Sequence, residues 1–315
     1  MLGAERAATL VSARTRDAEA VCAVIVTYNP DLDRLRRLVQ QVVREGGHFL
    51  VVDNGSKDPG QVRDAIEKAG LLGFLDLGEN LGLAHGLNVG IRRAAELGHH
   101  VVFLFDQDSA IESGFFAGLF KVWQEAERSI ARIAVVGPVL KDPDSGRESK
   151  FPTFSHLLPS GNLPLPGMDG VFKSDFPITS GSMVSIPAYR DIGDMREDFF
   201  IDNIDLDWCF RARARGYAVL GTTRATLLHR VGEPASGLLY RLGLVSSHPP
   251  SRFYYSTRNR LRLYREPYAP RAWVMRDRVR FFLKTALLLV TSPQRREYLR
   301  QLRRGVRDSR ELQRG

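Results

Sequence analysis

The sequence predicts an α/β protein with a mostly parallel central sheet and a basic, helical C-terminal region. Three observations carry that reading. Short, wholly apolar runs alternate with stretches of helical periodicity as far as Val136. Four successive apolar runs each end in a polar cluster, and beyond residue 250 the chain becomes helical and strongly basic. A run that is apolar at every position fits a strand covered on both faces, as in a parallel sheet.

The elements follow in order. Val21–Val26 is the first buried strand. Asp31–Arg44 is a helix, with Leu32, Leu35, Leu38, Val39, Val42 and Val43 at helical spacing. Phe49–Val52 is the second strand, Gln61–Ala69 a helix and Phe74–Leu77 the third strand. Leu83–Leu97 is a helix whose apolar side holds Leu83, Leu87, Ile91, Ala94 and Ala95. Val101–Phe105 is the fourth strand, Gly114–Arg128 a helix and Ile133–Val136 a further strand. Strand and helix alternating at this pace build βαβ units with right-handed crossovers. From Lys141 to Asp175 the chain is rich in Pro, Gly and Ser and reads as loops across one face. Ile178–Ile186 returns to strand, Asp202–Arg215 is a helix with Asp202 at its N-cap and Gly216 at its end, and Tyr217–Leu220 is again strand. Residues 1–20 lack a steady period. The chain therefore divides into a loose extension over 1–20, an α/β domain over 21–245 and a basic helical region over 246–315.

Composition narrows the class. The chain has 315 residues, 43% hydrophobic and 26% charged, a globular balance. Its net charge of +9 is unevenly placed: from Ser251 to Gly315 there are 17 Arg and 1 Lys against 5 acids, so the rest of the chain is mildly acidic. Such a tail calls for an anionic surface. Two cysteines, Cys22 and Cys209, exclude a disulfide framework and fit a reducing compartment. Met1–Ala20 lacks the apolar run of a signal peptide. Phe281–Val290, the longest apolar stretch, contains Lys284 and falls short of the roughly 20 residues of a spanning helix. The expectation is a soluble or membrane-surface protein.

In parallel sheets ligands gather at the carboxyl ends of the strands. Here those ends carry Thr27-Tyr28-Asn29, Asp53-Asn-Gly-Ser56, Gly78-Glu-Asn80 and Asp106-Gln-Asp108. The Asp106/Asp108 pair can share one hard cation with a nucleotide's phosphates, or simply form a turn that caps the next helix. Asp53-Asn-Gly-Ser56 is either a turn with a capping carboxylate or a base- or ribose-binding station. Thr27 and Tyr28 could hold a nucleobase, while Asn29-Pro30 favours a turn. Asp202, Asp205 and Asp207 crowd a helix N-terminus, where acids complement the dipole and where an ionised carboxylate can also act as a general base. His229 is a structural residue unless Asp108 holds a metal. Phe253-Tyr-Tyr255 with Arg258-Asn259 could clasp a diphosphate or belong to the core.

Together these stations resemble the family-2 glycosyltransferases of the GT-A fold, and within them the bacterial rhamnosyltransferases. The motifs are Val26-Thr-Tyr-Asn29, Val52-Asp-Asn-Gly-Ser56, Glu79-Asn-Leu-Gly82, Phe105-Asp-Gln-Asp-Ser109, Thr179-Ser-Gly-Ser182, Asp202-Asn-Ile-Asp205-Leu-Asp207-Trp208 and Tyr254-Tyr-Ser-Thr-Arg-Asn259. The resemblance implies that Thr27, Tyr28, Asp53 and Asn80 contact the nucleotide. It makes Asp106 and Asp108 the DxD motif on a magnesium or manganese ion, with His229 as a further ligand. Asp205 matches the catalytic base. Ser180, Gly181, Asp202, Asp207 and Trp208 would line the sugar and acceptor pocket, and Arg258 would hold the diphosphate. Gln107, in the middle of the DxD motif, resembles the rhamnosyl branch.

The implied reaction moves L-rhamnose from dTDP-L-rhamnose, with inversion, to a surface-polysaccharide hydroxyl on a lipid-linked acceptor. The basic tail would dock at the inner, cytoplasmic face of the membrane, with no role for nucleic acid and an oligomer left open. The same fold with a UDP-galactofuranose or UDP-N-acetylhexosamine donor is the nearest alternative. A non-catalytic protein binding nucleic acid or another anionic surface is a remote one.

Overall fold

The computed structural model describes residues 21–66, 70–154, 162–229 and 249–312. The loose extension over 1–20 and the boundary at 245/246 lie outside the described residues. Strands β1 (Cys22–Thr27), β2 (His48–Asp53), β3 (Leu71–Asp76) and β4 (Val101–Asp106) alternate with helices α1 (Leu32–Arg44), α2 (Pro59–Ala65) and α3 (Leu83–Glu96). Then come β5 (Ala110–Ile111), α4 (Phe115–Glu127), β6 (Ile133–Lys141), β7 (Leu163–Leu165), β8 (Met168–Lys173) and β9 (Met183–Ser185). Helices α5 (Ile186–Ile192) and α6 (Ile204–Ala214), strand β10 (Ala218–Leu228) and helices α7 (Pro250–Leu263), α8 (Arg271–Thr291) and α9 (Arg295–Asp308) complete the chain.

The sheet runs β3-β2-β1-β4-β9-β6-β10-β8-β7. The β3-β2-β1-β4 block and the β6/β10 pair are parallel; β9, β8 and β7 join antiparallel. Every residue of β1 is buried, as its sequence predicts. Alternate side chains feed two cores. Ala23 and Ile25 pack with Leu35, Leu38 and Val39 of α1 and with Phe115, Phe116 and Leu119 of α4. Cys22, Val24 and Val26 pack with Leu87 and Ile91 of α3 and with Trp208 and Cys209 of α6. Both cysteines are free and buried, and burial pushes the Cys22 thiol up to about 12.

Several expectations are corrected. The stretch from Lys141 to Asp175, expected as loops, contains the β7–β8 hairpin. The strand expected over Ile178–Ile186 shrinks to Met183–Ser185, because Ser185 caps a new helix by accepting from Ala188 N and Pro187 presets its first turn. Asp202 is not the N-cap of α6. It adopts φ +66°, Asn203 takes the cap position, and the Asp202 carboxylate turns to Arg252 instead.

The C-terminal helices build directly onto the α/β body. Phe210 of α6 shares a small core with Leu263, Ala269 and Trp273. Tyr268 donates to Asp207 at 2.7 Å, and Arg196 pairs with Glu266 at 2.9 Å, both inside the protein. Strand order reverses about β1: the chain moves outward to β2 and β3, then returns to place β4 on the other side. The crevice past the ends of β1 and β4 is therefore the expected ligand position.

Candidate active site

Side chains stitch the strand-end loops into one platform at that crevice. Asp53 is fully buried and accepts from Thr27 Oγ1 (2.8 Å), Ser56 Oγ (2.6 Å) and Ser56 N (2.8 Å). Gly55 sits at φ +80°, and a Cβ there would lie 2.3 Å from the backbone of Glu79, so the second and third loops touch through glycine. Asn54 donates to Asn80 Oδ1 and accepts from Leu81 N, and Gly82 N closes on the same Asn80 oxygen. Gln107 accepts from Tyr28 N at 2.7 Å and donates to Tyr28 O at 3.3 Å, which ties the DxD turn to the β1 loop. Tyr28 itself is exposed, its ring presented above the platform.

Ser180 receives the Asp106 backbone N–H at 3.3 Å and meets Ser109 Oγ at 2.6 Å. Gly181 N donates to Leu104 O. Both were expected in the sugar pocket; Ser180 is instead buried behind the Asp106-Gln-Asp108 turn and fixes its shape. His229 reaches the same turn from β10, whose last residues pair antiparallel with β5 just beyond Asp108. Burial raises the Asp106 carboxyl above its ordinary range. His229 pulls it back, Asp108 pushes it further up, and Arg252 opposes that rise.

The opposite wall is the segment leading into α6. Phe200, Asp202 and Asn203 all have left-handed backbones, each a cost of order 1–3 kcal/mol for a residue other than glycine. Asn259 holds them: its buried amide nitrogen faces the carbonyls of Phe199, Ile201 and Asp202 at 2.7–3.0 Å. Phe200 O accepts from Leu83 N at 2.7 Å, and a Cβ on Gly82 would fall 2.6 Å from the Phe200 ring, so this wall closes against the nucleotide side. Asp205 follows. Burial pushes its carboxyl up to about 6; the Leu206 N–H opposes this, and the charges of Asp202 and Asp106 add to it.

Three expected site residues are already engaged by other groups of the protein. Asp207 is fully buried, ion-paired with Arg211 at 2.9 Å and receiving the Tyr268 hydroxyl. Trp208 is buried against Tyr189 and donates to Gly193 O. Asp207, two residues after Asp205, lies on the opposite side of α6 from it. Arg258 is occupied as well, by the carbonyls of Asp198 and Phe199 and by Asn259 Oδ1. Sequence reasoning missed Arg252, whose fork takes both oxygens of Asp202 at 2.9–3.3 Å. Its only signal was an arginine at the start of a helical stretch.

Two carboxylates and an imidazole suit a hard divalent cation. Among the described residues, however, no three His, Cys, Asp or Glu groups converge tightly enough to hold one alone. A cation on Asp106 and Asp108 would complete its shell with ligand oxygens, as magnesium does with phosphates.

Polar strand-end loops thus face Asp205 across the crevice of a mostly parallel sheet, and the comparisons give the class. Residues 22–178 match the domain described as Glycosyl transferase family 2. The chain is 30% identical over 291 residues to the dTDP-rhamnosyl transferase RfbF of Shigella flexneri, covering 89% of this chain and 92% of that protein. The chain belongs to glycosyltransferase family 2. Its fold also resembles GalNAc-T7, solved with UDP, GalNAc and Mn2+ (TM-score 0.56, 11% identity, 92% of this chain and 56% of that one). S. aureus TarS 1–349 in complex with UDP-GlcNAc is similar again (TM-score 0.54, 15% identity, 92% and 81%).

The Asn259 clamp gives a test. Asn259→Ala strands three carbonyls beside a left-handed run, and stability measured by urea unfolding should fall by about 1–3 kcal/mol. Calorimetric affinity for nucleotide should fall much less than the transfer rate.

Proposed function

We propose that the protein is an inverting hexosyltransferase that moves L-rhamnose from dTDP-L-rhamnose to a hydroxyl of a lipid-linked surface glycan, with magnesium or manganese at the DxD motif. The observation that carries this reading is Asp205 facing Asp106 across the switch point, in a chain 30% identical to a dTDP-rhamnosyl transferase. An alcohol is too weak an acid to lose its proton unaided at neutral pH. A carboxylate held near 6 is ionised there and still basic enough to accept that proton as the oxygen attacks. One displacement inverts the anomeric carbon, so a single base suffices.

On this reading Tyr28 and the Thr27–Asp53 pair support the pyrimidine, and Asn80 the rest of the nucleoside. Asp106, Asp108 and His229 would hold the cation, which neutralises diphosphate charge when bound. Gln107 keeps the DxD turn in register with the base loop.

The acceptor side is read as a membrane surface. Among the described residues no helix is long and apolar enough to cross a bilayer. Helix α8, however, exposes Met275, Val279, Phe282, Leu283 and Val290, which fall on one side of the helix. Arg271, Arg278 and Arg280 are exposed beside that stripe, while Asp277 turns inward to Arg260 and Tyr264. An apolar face rimmed by arginines suits the interface of an anionic bilayer at the inner face of the cytoplasmic membrane.

Three measurements test the reading. Calorimetry with dTDP, UDP and GDP, with magnesium or manganese and again with EDTA, should show metal-dependent binding that favours dTDP; preference for UDP would replace the donor. The kcat/KM of the transferase should rise with pH through about 6, because the base works only after losing its proton. Asp205→Asn should remove that limb and lower turnover at least 10²-fold while nucleotide still binds. Sedimentation with vesicles rich in phosphatidylglycerol should recover the protein, and a Phe282→Asp/Leu283→Asp variant should stay in solution; equal recovery of both would refute the docking face.

A further inference from the structure

We propose that Arg252 is the protein's own cation for the donor diphosphate, held at the correct angle by Asp202. The inference rests on the nucleotide-sugar reading and assigns a residue that the sequence motifs did not reach.

The charge balance of the site calls for such a group. Asp106, Asp108, Asp202 and Asp205 surround the crevice, and Arg252 is the arginine whose charge acts on both Asp202 and Asp106. The donor's diphosphate adds its ionised oxygens to these acids, and the departing nucleoside diphosphate carries one negative charge more than a divalent cation offsets. As the bond from the anomeric carbon to the diphosphate oxygen breaks, its electron pair stays on that oxygen. The acceptor oxygen forms the new bond and passes its proton to Asp205. Negative charge therefore grows on the diphosphate during the step, where a fixed N–H donor has its largest effect.

Arg258, the arginine of the family-like motif, is already used by the backbone of Asp198 and Phe199. Arg252, whose Nε and Nη2 are taken just as those of Arg258 are, differs in pairing with a carboxylate rather than with backbone carbonyls and in its interaction with Asp106. It stands in the first turn of α7 and interacts electrostatically with Asp106 at the end of β4. Its side chain is 42% exposed, so a ligand can reach it. Asp202 takes only its Nε and Nη2 atoms, and a guanidinium has five N–H donors in a planar fork. The Nη1 edge can meet a phosphate while the Asp202 contact fixes the plane. That contact also explains why Asp202 keeps a left-handed backbone: the strained φ aims its carboxylate at Arg252 rather than at the start of α6.

Wild type, Arg252→Gln, Arg252→Lys and Arg258→Gln would be titrated with dTDP, UDP, thymidine and inorganic diphosphate, each with magnesium, alongside thermal melts. Arg252→Gln should weaken whichever nucleoside diphosphate the wild type binds, and inorganic diphosphate, by about tenfold or more. Thymidine affinity should stay put while Tm falls with the lost Asp202 pair, and Arg252→Lys should recover part of both losses. Arg258→Gln should also lower Tm but shift all affinities together. Loss of thymidine along with dTDP in Arg252→Gln, or loss of neither, overturns the assignment. A wild type that binds inorganic diphosphate through Arg252 but no nucleotide would sink the nucleotide-sugar reading and leave the assignment standing. A wild type that binds none of these ligands overturns both.

Discussion

The side-chain amide of Asn259, buried under the carbonyls of Phe199, Ile201 and Asp202, is the contact on which the Asp205 wall of the crevice rests. Left-handed backbones at Phe200, Asp202 and Asn203 would relax in a free chain. Held together, they turn the chain sharply enough that α6 starts with Asp205 toward the crevice and Asp207 toward the interior. Phe200 stacks on Tyr255 at 4.8 Å, so helix α7 supplies both the polar clamp and an aromatic backing. The strand-end side has one such left-handed residue, Asn29, and its loops are otherwise fixed by turn chemistry around Asp53 and Asn54.

Crowding acids into one crevice works against folding and leaves carboxyl groups that hold their protons more tightly. Burial and mutual repulsion raise Asp106 and Asp205 above the ordinary carboxylate range. In a purely structural site such groups would be paired or replaced. Here the repulsion leaves the crevice ready for positive charge and makes Asp205 a stronger base than an exposed aspartate. Asp207, two residues further on, shows the opposite solution: it is deeper still, yet fully satisfied by Arg211 and Tyr268.

The parallel half of the fold was legible because its strands are apolar at every position and its helices carry clear 3.6-residue stripes. The polar strand ends marked the platform for the same reason: nothing else in those runs competes for interpretation. Legibility failed where tertiary contacts outweigh local preference. The Ile178–Ile186 run is apolar enough for a strand, but the Ser185 cap and Pro187 start a helix within it. Asp202 has the residue type of an N-cap, yet an arginine fifty positions away recruits its carboxylate. Arg258 and Arg252 could not be ranked by sequence, since what separates them is which one the backbone already occupies. The GT-A fold and the glycosyltransferase family were therefore within reach of the sequence, whereas the division of labour around α6 was not.

The clamp also has a consequence for the order in which the protein becomes competent. Strands β1 to β4 and their helices make mostly neighbouring contacts and can condense while the chain is still being synthesised. The segment before Asp205 must wait for Asn259, about sixty residues later, to leave the ribosome. A nascent chain would thus hold the strand-end loops formed while the turn before Asp205 is still unclamped. The same helix carries Arg252 to Asp202, so the clamp and that ion pair form together.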